Sequence, residues 1–184
     1  MESYIIHKIM EGLSQHLKAF DSKGKFQIAF SSQFQATAPA YRVRLGVQPI
    51  QRVPNIVDIW AKDYETQNVV AIDLAYPTAK QGMVLEPTGT AVFLPDYPEI
   101  DTAKSEFREA IEKLEWAVAA QLANKGFAIL LTNQPKLWED FLEKITTTDH
   151  ITPSRTYDIN WKDYSSLTQG ENPCFRYLVV EIKP

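Results

Sequence analysis

Two aspartates stand inside short apolar segments, and this feature most restricts the folds open to the chain. Asp58 lies within Asn-Ile-Val-Asp-Ile-Trp-Ala (55–61), and Asp73 lies within Val-Val-Ala-Ile-Asp-Leu (69–74). Both segments are rich in β-branched residues and largely apolar, which is typical of buried central strands. The polar run 62–68 between them predicts a hairpin loop. We therefore predict two neighbouring antiparallel strands that each carry one acid.

The spacing of the two acids predicts that they face each other across the hairpin. If the hairpin turns near residue 65, antiparallel pairing places residue 58 opposite residue 72 or 73. Two carboxylates there would repel each other, and one would tend to keep its proton. A divalent cation between them would remove the conflict, and ligands that are all oxygen suit Mg²⁺ or Mn²⁺. The alternative is an acid near a strand end that reaches solvent or pairs with Lys62 or Lys80.

Two other segments show helical periodicity of their apolar residues. Residues 2–20 predict an amphipathic helix. A second helix is predicted to begin with Asp101 or Thr102 as N-cap and to end before Gly126. A continuous apolar strand, 127–131, follows directly. This strand–helix–strand order favours a right-handed crossover between parallel strands.

The rest of the chain is assigned from the same kinds of pattern. Residues 25–36 allow either a further helix or a strand, because the run is too short to distinguish the two. The other segments are a strand at 41–47, an irregular exposed segment at 82–100, a short helix at 135–145, a polar and turn-rich stretch at 146–172, and a final strand at 175–182. We predict one α/β domain over residues 1–184, with a central mixed sheet flanked by helices.

Composition excludes several classes of protein. The longest apolar run is far shorter than a membrane span and the N-terminus lacks the order of a signal peptide, so no membrane partner is expected. The single cysteine, Cys174, excludes an internal disulfide and a thiolate metal cluster, which fits a cytoplasmic location. A net charge of −4 argues mildly against a protein whose main task is tight nonspecific nucleic-acid binding.

A few other side chains are candidates for a weaker role. Lys23, Lys25, Arg42 and Arg44 form a modest basic cluster, which is either solvated surface or a track for a phosphate backbone. Trp60 is expected in the core rather than as a platform for bases, although it shares a strand face with Asp58. The three histidines lack the spacing of metal ligands.

The hairpin resembles the core of the PD-(D/E)xK nuclease superfamily. The matching segments are Val-Pro-Asn-Ile-Val-Asp (53–58) and Val-Ala-Ile-Asp-Leu-Ala-Tyr-Pro-Thr (70–78). The second is similar to Ile-Glu-Leu-Lys-Tyr-Pro-Thr in a group of bacterial and archaeal restriction-endonuclease-like proteins. Further similar motifs occur in order along most of the chain: Phe-Gln (26–27), Lys-Leu-Glu (113–115) for Arg-Leu-Glu, Leu-Thr-Asn (131–133), Trp161 with Asp-Tyr-Ser (163–165), and Phe-Arg-Tyr-Leu (175–178).

The resemblance implies a restriction-endonuclease-like fold and a role for each site residue. Asp58 matches the first metal-binding acid, and Asp73 matches the second, with aspartate in place of glutamate. The backbone carbonyl of Leu74 would be the third ligand. Ala75 stands where the family has a lysine that positions the attacking water and offsets charge on the phosphate. Loss of one such group typically costs about 10²–10³ in rate.

Three explanations of Ala75 compete. The chain is a decayed nuclease kept for binding or assembly, or the alanine was engineered to inactivate the enzyme, or a displaced lysine fills the gap. The candidates for a displaced lysine are Lys62, Lys80 and Lys104. We favour decay, because Gly46 and Lys25 also stand near positions where the family has acids.

The predicted function is therefore that of an inactive or impaired nuclease-fold protein that serves as a nucleic-acid-binding or protein-interaction module. One alternative is an active Mg²⁺-dependent DNA endonuclease with a relocated lysine. The other is a structural partner, such as a homodimer, that never contacts nucleic acid.

Overall fold

The computed structural model describes residues 1–49, 56–79, 82–86, 88–95, 99–141, 144–147, 154–165 and 175–184. The helices in these residues are α1 (Ser3–His16), α2 (Lys23–Thr37), α3 (Ile100–Ala119) and α4 (Pro135–Asp140). The strands are β1 (Tyr41–Val47), β2 (Val57–Asp63), β3 (Val69–Ala75), β4 (Met83–Leu85), β5 (Ala91–Phe93), β6 (Lys125–Thr132), β7 (Lys144–Thr146), β8 (Thr156–Asp158), β9 (Lys162–Ser165) and β10 (Phe175–Ile182).

A six-stranded mixed sheet organises the described residues, in the order β1-β2-β3-β6-β10-β9. β3 and β6 run parallel, and α3 lies between them in the sequence, whereas the other neighbouring pairs run antiparallel. The prediction of an α/β fold with a mixed sheet and a parallel crossover is confirmed. The restriction-endonuclease-like assignment of that fold stays a prediction.

The register of the β2–β3 hairpin agrees with the spacing of the two acids. Ile59 pairs with Ile72, and Lys62 pairs with Val69 at the turn. The same register continued by one residue places residue 58 opposite residue 73. The polar loop and the two apolar segments were therefore sufficient to predict the register of the hairpin to within one residue.

The two faces of the sheet pack against different helices. Along β3, Ile72 and Leu74 belong to the apolar cluster that contains the buried residues of α1 and α2. Ala71 belongs to the cluster that contains the buried face of α3, and the partly buried Ala75 packs against that cluster. Because side chains alternate along a strand, Asp73 faces α3 together with Ala71 and Ala75.

The segment 25–36, for which the sequence allowed a helix or a strand, lies within helix α2. Phe26, Phe30 and Phe34 are all fully buried, and their spacing of four residues gives one continuous helical stripe. Full burial of each ring contributes about 1.5–3 kcal/mol. The Ser22 hydroxyl accepts a hydrogen bond from the Lys25 amide at 3.2 Å and so caps the first turn. This apolar stripe and its cap select the helix.

Several predictions for the second half of the chain were wrong in detail. The segment 82–100 contains the paired strands β4 and β5 rather than irregular chain alone, and Gly89 lies in their turn with φ of +82°. Helix α3 begins at Ile100 with Glu99 as N-cap, not Asp101 or Thr102. Strands of three residues carry no readable alternation, so β4, β5, β7 and β8 left no clear signal.

Two further boundaries also differ from the prediction. Helix α4 ends at Asp140 rather than near residue 145. The predicted turn-rich stretch 146–172 contains β8 and β9, and its residues 148–153 and 166–172 lie outside the described part of the chain. No helix among the described residues has both the length and the apolar character that crossing a membrane requires.

Candidate carboxylate–lysine site

Asp73 is a buried acid whose two carboxylate oxygens both have partners. Its side chain is 2% exposed. Oδ1 accepts a hydrogen bond from the Asp58 amide at 3.0 Å. Oδ2 lies in direct contact with the Lys113 ammonium group as an ion pair, but it makes no further hydrogen bond. A carboxylate this deeply buried would be strongly unfavourable without such a cation.

Asp58 makes the reciprocal contact across the hairpin. Its Oδ2 accepts a hydrogen bond from the Leu74 amide at 2.9 Å. The same oxygen lies 2.8 Å from the Lys23 ammonium group. Each aspartate therefore bonds to the backbone of the opposite strand, and each takes a different lysine as its counter-ion.

Lys113 connects α3 to β3 and to the residue that precedes β2. Besides its ion pair with Asp73, its ammonium group donates a hydrogen bond to the Ile56 carbonyl at 2.7 Å. The side chain is 23% exposed, so its charge is partly shielded from solvent. A lysine in this position holds the crossover helix against the strand ends where the two acids lie.

Lys23 reaches the site from the opposite side, as the first residue of α2. A cation is unfavourable at a helix N-terminus, because the unsatisfied amides there already carry partial positive charge. The nearby Asp58 carboxylate offsets this cost. Gln27 fixes the same strand by donating from Nε2 to the Asp58 carbonyl at 2.5 Å. Helix α2 therefore contributes both a charge and a hydrogen bond to this end of the sheet.

Burial dominates the electrostatics of Asp73. Removal from water raises the pKa of its carboxyl above the ordinary value, and the negative charge of Asp58 raises it further. The ammonium group of Lys113 opposes both effects and lowers the pKa. The net direction is upward, so the ionised form of Asp73 is less favourable here than in water.

A cleft of about 350 Å³ opens beside these groups. Its walls combine both signs of charge, from Asp73 on the sheet, Lys23 on α2, and Lys113 on α3. The other lining residues are Leu74, Ala75, Tyr76, Glu106, Glu109 and Ala110. Ala75 lines the cleft on the same sheet face as Asp73, so a longer side chain at this position would point into the cleft.

The donor set as arranged suits ammonium groups better than a divalent cation. Two carboxylates face two lysines, so their charges balance without a metal. A cation bound to Asp73 Oδ2 would have to displace Lys113. Within the described ranges, no group of three or more His, Cys, Asp or Glu side chains is placed to hold a metal ion. Asp58, Asp73 and the Leu74 carbonyl as ligands of Mg²⁺ or Mn²⁺ therefore stay a prediction.

Of the three lysines proposed as replacements for the missing one, two lie away from the cleft. Lys62 lies near the turn of the hairpin, opposite Arg42. Lys104 pairs with Asp101 on its own helix at 3.6 Å. Lys80 lies outside the described residues. The predicted basic cluster also divides, because Lys25 pairs with Asp21 at the start of α2 whereas Arg42 lies on β1.

The sequence pattern did not predict the role of Lys113, although this residue lies in one of the motifs that resemble the family. In Lys-Leu-Glu (113–115), the lysine pairs with Asp73 and the glutamate is buried elsewhere. Glu115 accepts hydrogen bonds from Tyr157 Oη at 2.6 Å and Thr147 Oγ1 at 3.0 Å. The available signal was that Lys113 follows Glu106 and Glu109 along one helical stripe, at steps of three and four residues.

Comparison with known proteins adds no relatives. No protein-family model matches the chain, and searches of curated proteins and of solved structures also return no match.

Proposed function

We propose that this chain is a nuclease-fold protein in which two lysines neutralise the paired acids, and that it binds nucleic acid with little or no cleavage. The observation that carries the proposal is the closed charge balance between Asp58 and Lys23 and between Asp73 and Lys113. A site of this kind holds its geometry without a metal ion. It keeps a charged cleft but provides no metal-bound water as a nucleophile.

Position 75 supports the same conclusion. Ala75 offers no charge to the cleft, and Lys113 is already committed to Asp73 and to the Ile56 carbonyl. Stabilisation of charge that develops on a phosphate requires a cation that is free to approach it. Neither Ala75 nor the paired Lys113 meets this requirement in the observed arrangement.

The test of the proposal is a cleavage assay with labelled single-stranded and duplex DNA and RNA in Mg²⁺ and in Mn²⁺. We expect binding in a gel-shift assay at low salt but no metal-dependent cleavage. Asp73→Asn should leave this result unchanged, and Asp101→Asn on the exposed side of α3 is the matched control. Cleavage that Asp73→Asn abolishes and Asp101→Asn preserves would overturn the proposal.

A thermal-melting experiment tests the metal directly. A ligand that binds only the folded protein raises its stability by RT ln(1 + [L]/Kd), so a formed site would show a Tm that rises with Mg²⁺. We expect Mg²⁺ to change the Tm of the wild type no more than it changes the Tm of Asp73→Asn. A metal-dependent rise confined to the wild type would contradict the lysine-neutralised site.

One observation favours a second candidate, an active endonuclease with a relocated lysine. Lys113 lines the same cleft as Ala75 and contacts Asp73, which is the neighbourhood that the missing lysine would occupy. If cleavage is found, Lys113→Ala should abolish it while Lys136→Ala, at an exposed position of α4, should not. The variant Ala75→Lys is a further probe, because a gain of cleavage would show that the other parts of the site are formed.

A further inference from the structure

A second charged region lies on β1 and β2, on the same face of β2 as Asp58 but nearer the turn of the hairpin. We call it the β1–β2 surface, and it consists of Arg42, Arg44, Trp60, Lys62 and Tyr64. β1 is the edge strand of the six-stranded sheet, and its pairing with β2 places Arg42 opposite Lys62 and Arg44 opposite Trp60. Residues directly opposite in an antiparallel pair point to the same face, so these four side chains share one surface. Tyr64 adjoins them from the turn.

The charges of this surface are not balanced within the described residues. Arg42 and Lys62 carry like charges at directly opposite positions, which destabilises a sheet. No described carboxylate lies within 4.0 Å of Arg42, Arg44 or Lys62.

The nearest acids along β2 are engaged elsewhere. Asp58 is held by Lys23 at the far end of the strand. Asp63 lies opposite Tyr41 in the strand register, and its Oδ1 accepts a hydrogen bond from the Glu65 amide at 2.9 Å. With no carboxylate partner in the described part of the chain, the three cations remain available to an external polyanion.

Aromatic rings alternate with these cations. Tyr64 is 52% exposed, with the Arg42 guanidinium 4.8 Å and the Lys62 ammonium 6.0 Å from its ring centroid. Trp60 packs in part against the apolar cluster of α3, as the sequence predicted, but it stays partly exposed and lies beside Arg44 on the neighbouring strand. Surfaces that bind single strands combine a positive track for the phosphates with rings on which bases stack. A surface that bound only the charges of an acidic protein would not need these aromatic rings.

Edge strands also carry charged side chains that prevent pairing with other strands. That purpose is served by either sign of charge, and an acid at position 62 would serve it while pairing with Arg42. This surface has three cations, no acid among them, and two aromatic rings beside them. That combination suits a polyanion that carries bases better than it suits protection of an edge strand.

We infer that the β1–β2 surface binds a single strand of nucleic acid, with phosphates on Arg42, Arg44 and Lys62 and bases against Trp60 and Tyr64. This inference rests on the proposed function and gives it a location. Lys62 lies four positions after Asp58 on β2, which is about 13 Å along the strand. A bound strand would therefore lead from the turn of the hairpin toward the carboxylate–lysine cleft.

The test is fluorescence anisotropy of a labelled oligothymidylate of about 16 nucleotides, a length suited to such surfaces, with the full chain at low salt. We expect Arg42→Ala with Arg44→Ala to weaken binding by about tenfold or more and to reduce the slope of log K against log salt by about 1–2. Trp60→Phe should weaken binding several-fold with less effect on that slope. Thermal melting establishes that each variant is folded.

The control is Lys136→Ala with Lys144→Ala, which removes two exposed cations outside the surface and should leave binding unchanged. Wild-type binding that the paired arginine variant does not weaken would overturn the location and leave the proposed function standing. Absence of wild-type binding to any nucleic acid would overturn both. Polyglutamate that displaces the oligonucleotide at equal charge would show that the surface takes an acidic peptide, which would overturn the assignment to nucleic acid.

Discussion

The two ends of the β2–β3 hairpin treat charge in opposite ways. At the strand ends near Asp58 and Asp73, charges of opposite sign are paired, and Asp73 is almost completely buried. At the turn, the like charges of Arg42 and Lys62 face each other at the surface, beside Tyr64. One hairpin therefore carries paired charges at one end, and at the other it joins β1 in a group of like charges that no described carboxylate neutralises.

The difference separates charges that serve the fold from charges that serve a partner. A buried ion pair adds little compared with apolar packing, but loss of one member is costly because the other charge stays buried. An exposed cluster of like charges adds nothing to stability and weakens it slightly. We therefore expect mutations at the strand ends to change mainly the stability of the protein, and mutations at the turn to change mainly its binding.

The largest expected effect follows from removing the cation beside Asp73. Lys113→Met should lower the free energy of unfolding by about 3 kcal/mol, because it leaves a buried carboxylate without a counter-ion. Urea denaturation at neutral pH measures the change. Adding Asp73→Asn to Lys113→Met should recover part of the loss, and the double-mutant cycle gives the coupling between the two side chains.

Lys23 provides the matched control for this prediction. Its side chain is 52% exposed, so water screens its interaction with Asp58. Lys23→Met should therefore cost less than about 1 kcal/mol. Equal losses from Lys23→Met and Lys113→Met would show that burial does not distinguish the two ion pairs.

The next effect is a pH dependence that Asp73 confers on stability. Because its pKa is raised in the folded protein, its contribution to stability is fully present below the unfolded-state pKa of about 4 and is lost as pH rises through the folded-state value. The stability of the wild type relative to Asp73→Asn should therefore fall with rising pH, by at most about 1.4 kcal/mol per pH unit.

Urea denaturation of both proteins at a series of pH values from about 4 to about 8 checks this difference. The comparison with Asp73→Asn cancels the titration of distant groups that both proteins share. A relative stability that instead grows with pH would mean that attraction to Lys113 outweighs the penalty of burial.

The smallest expected effect reverses the charge at the turn. Lys62→Glu would create a cross-strand ion pair with Arg42 in place of two like charges, and it should raise the free energy of unfolding by about 0.2–1 kcal/mol. The same variant should weaken binding of the oligonucleotide. Lys62→Gln is the control that removes the charge without adding a pair. Greater stability of Lys62→Glu together with unchanged binding would show that the charge at position 62 takes no part in binding nucleic acid.

The hairpin itself was predictable because its information is local. The two apolar segments and the polar run 62–68 between them define the turn, and the turn defines the register that brings residues 58 and 73 together. The parallel crossover was predictable for a similar reason, since an apolar strand directly follows the strongly periodic α3.

The counter-ions were not predictable in the same way. Lys113 reaches Asp73 only because α3 packs across the sheet at one particular rotation, and the apolar periodicity alone did not single it out from Lys104, the other lysine of that helix. Lys23 looked like solvated surface, because nothing local marks a lysine at a helix start as the partner of an acid on β2. The charge balance of the site therefore depends on tertiary packing that the pattern of apolar residues does not specify.

The crossed hydrogen bonds between the aspartates have a consequence for local motion. Beyond the pair of Ile59 and Ile72, the carboxylates of Asp58 and Asp73 take the place of backbone carbonyls as acceptors for the Leu74 and Asp58 amides. A carboxylate can be protonated or drawn to another cation, whereas a peptide carbonyl cannot. The last rung of this hairpin can therefore open without unfolding of the sheet, and exchange of those two amide hydrogens with solvent would follow the state of the charges.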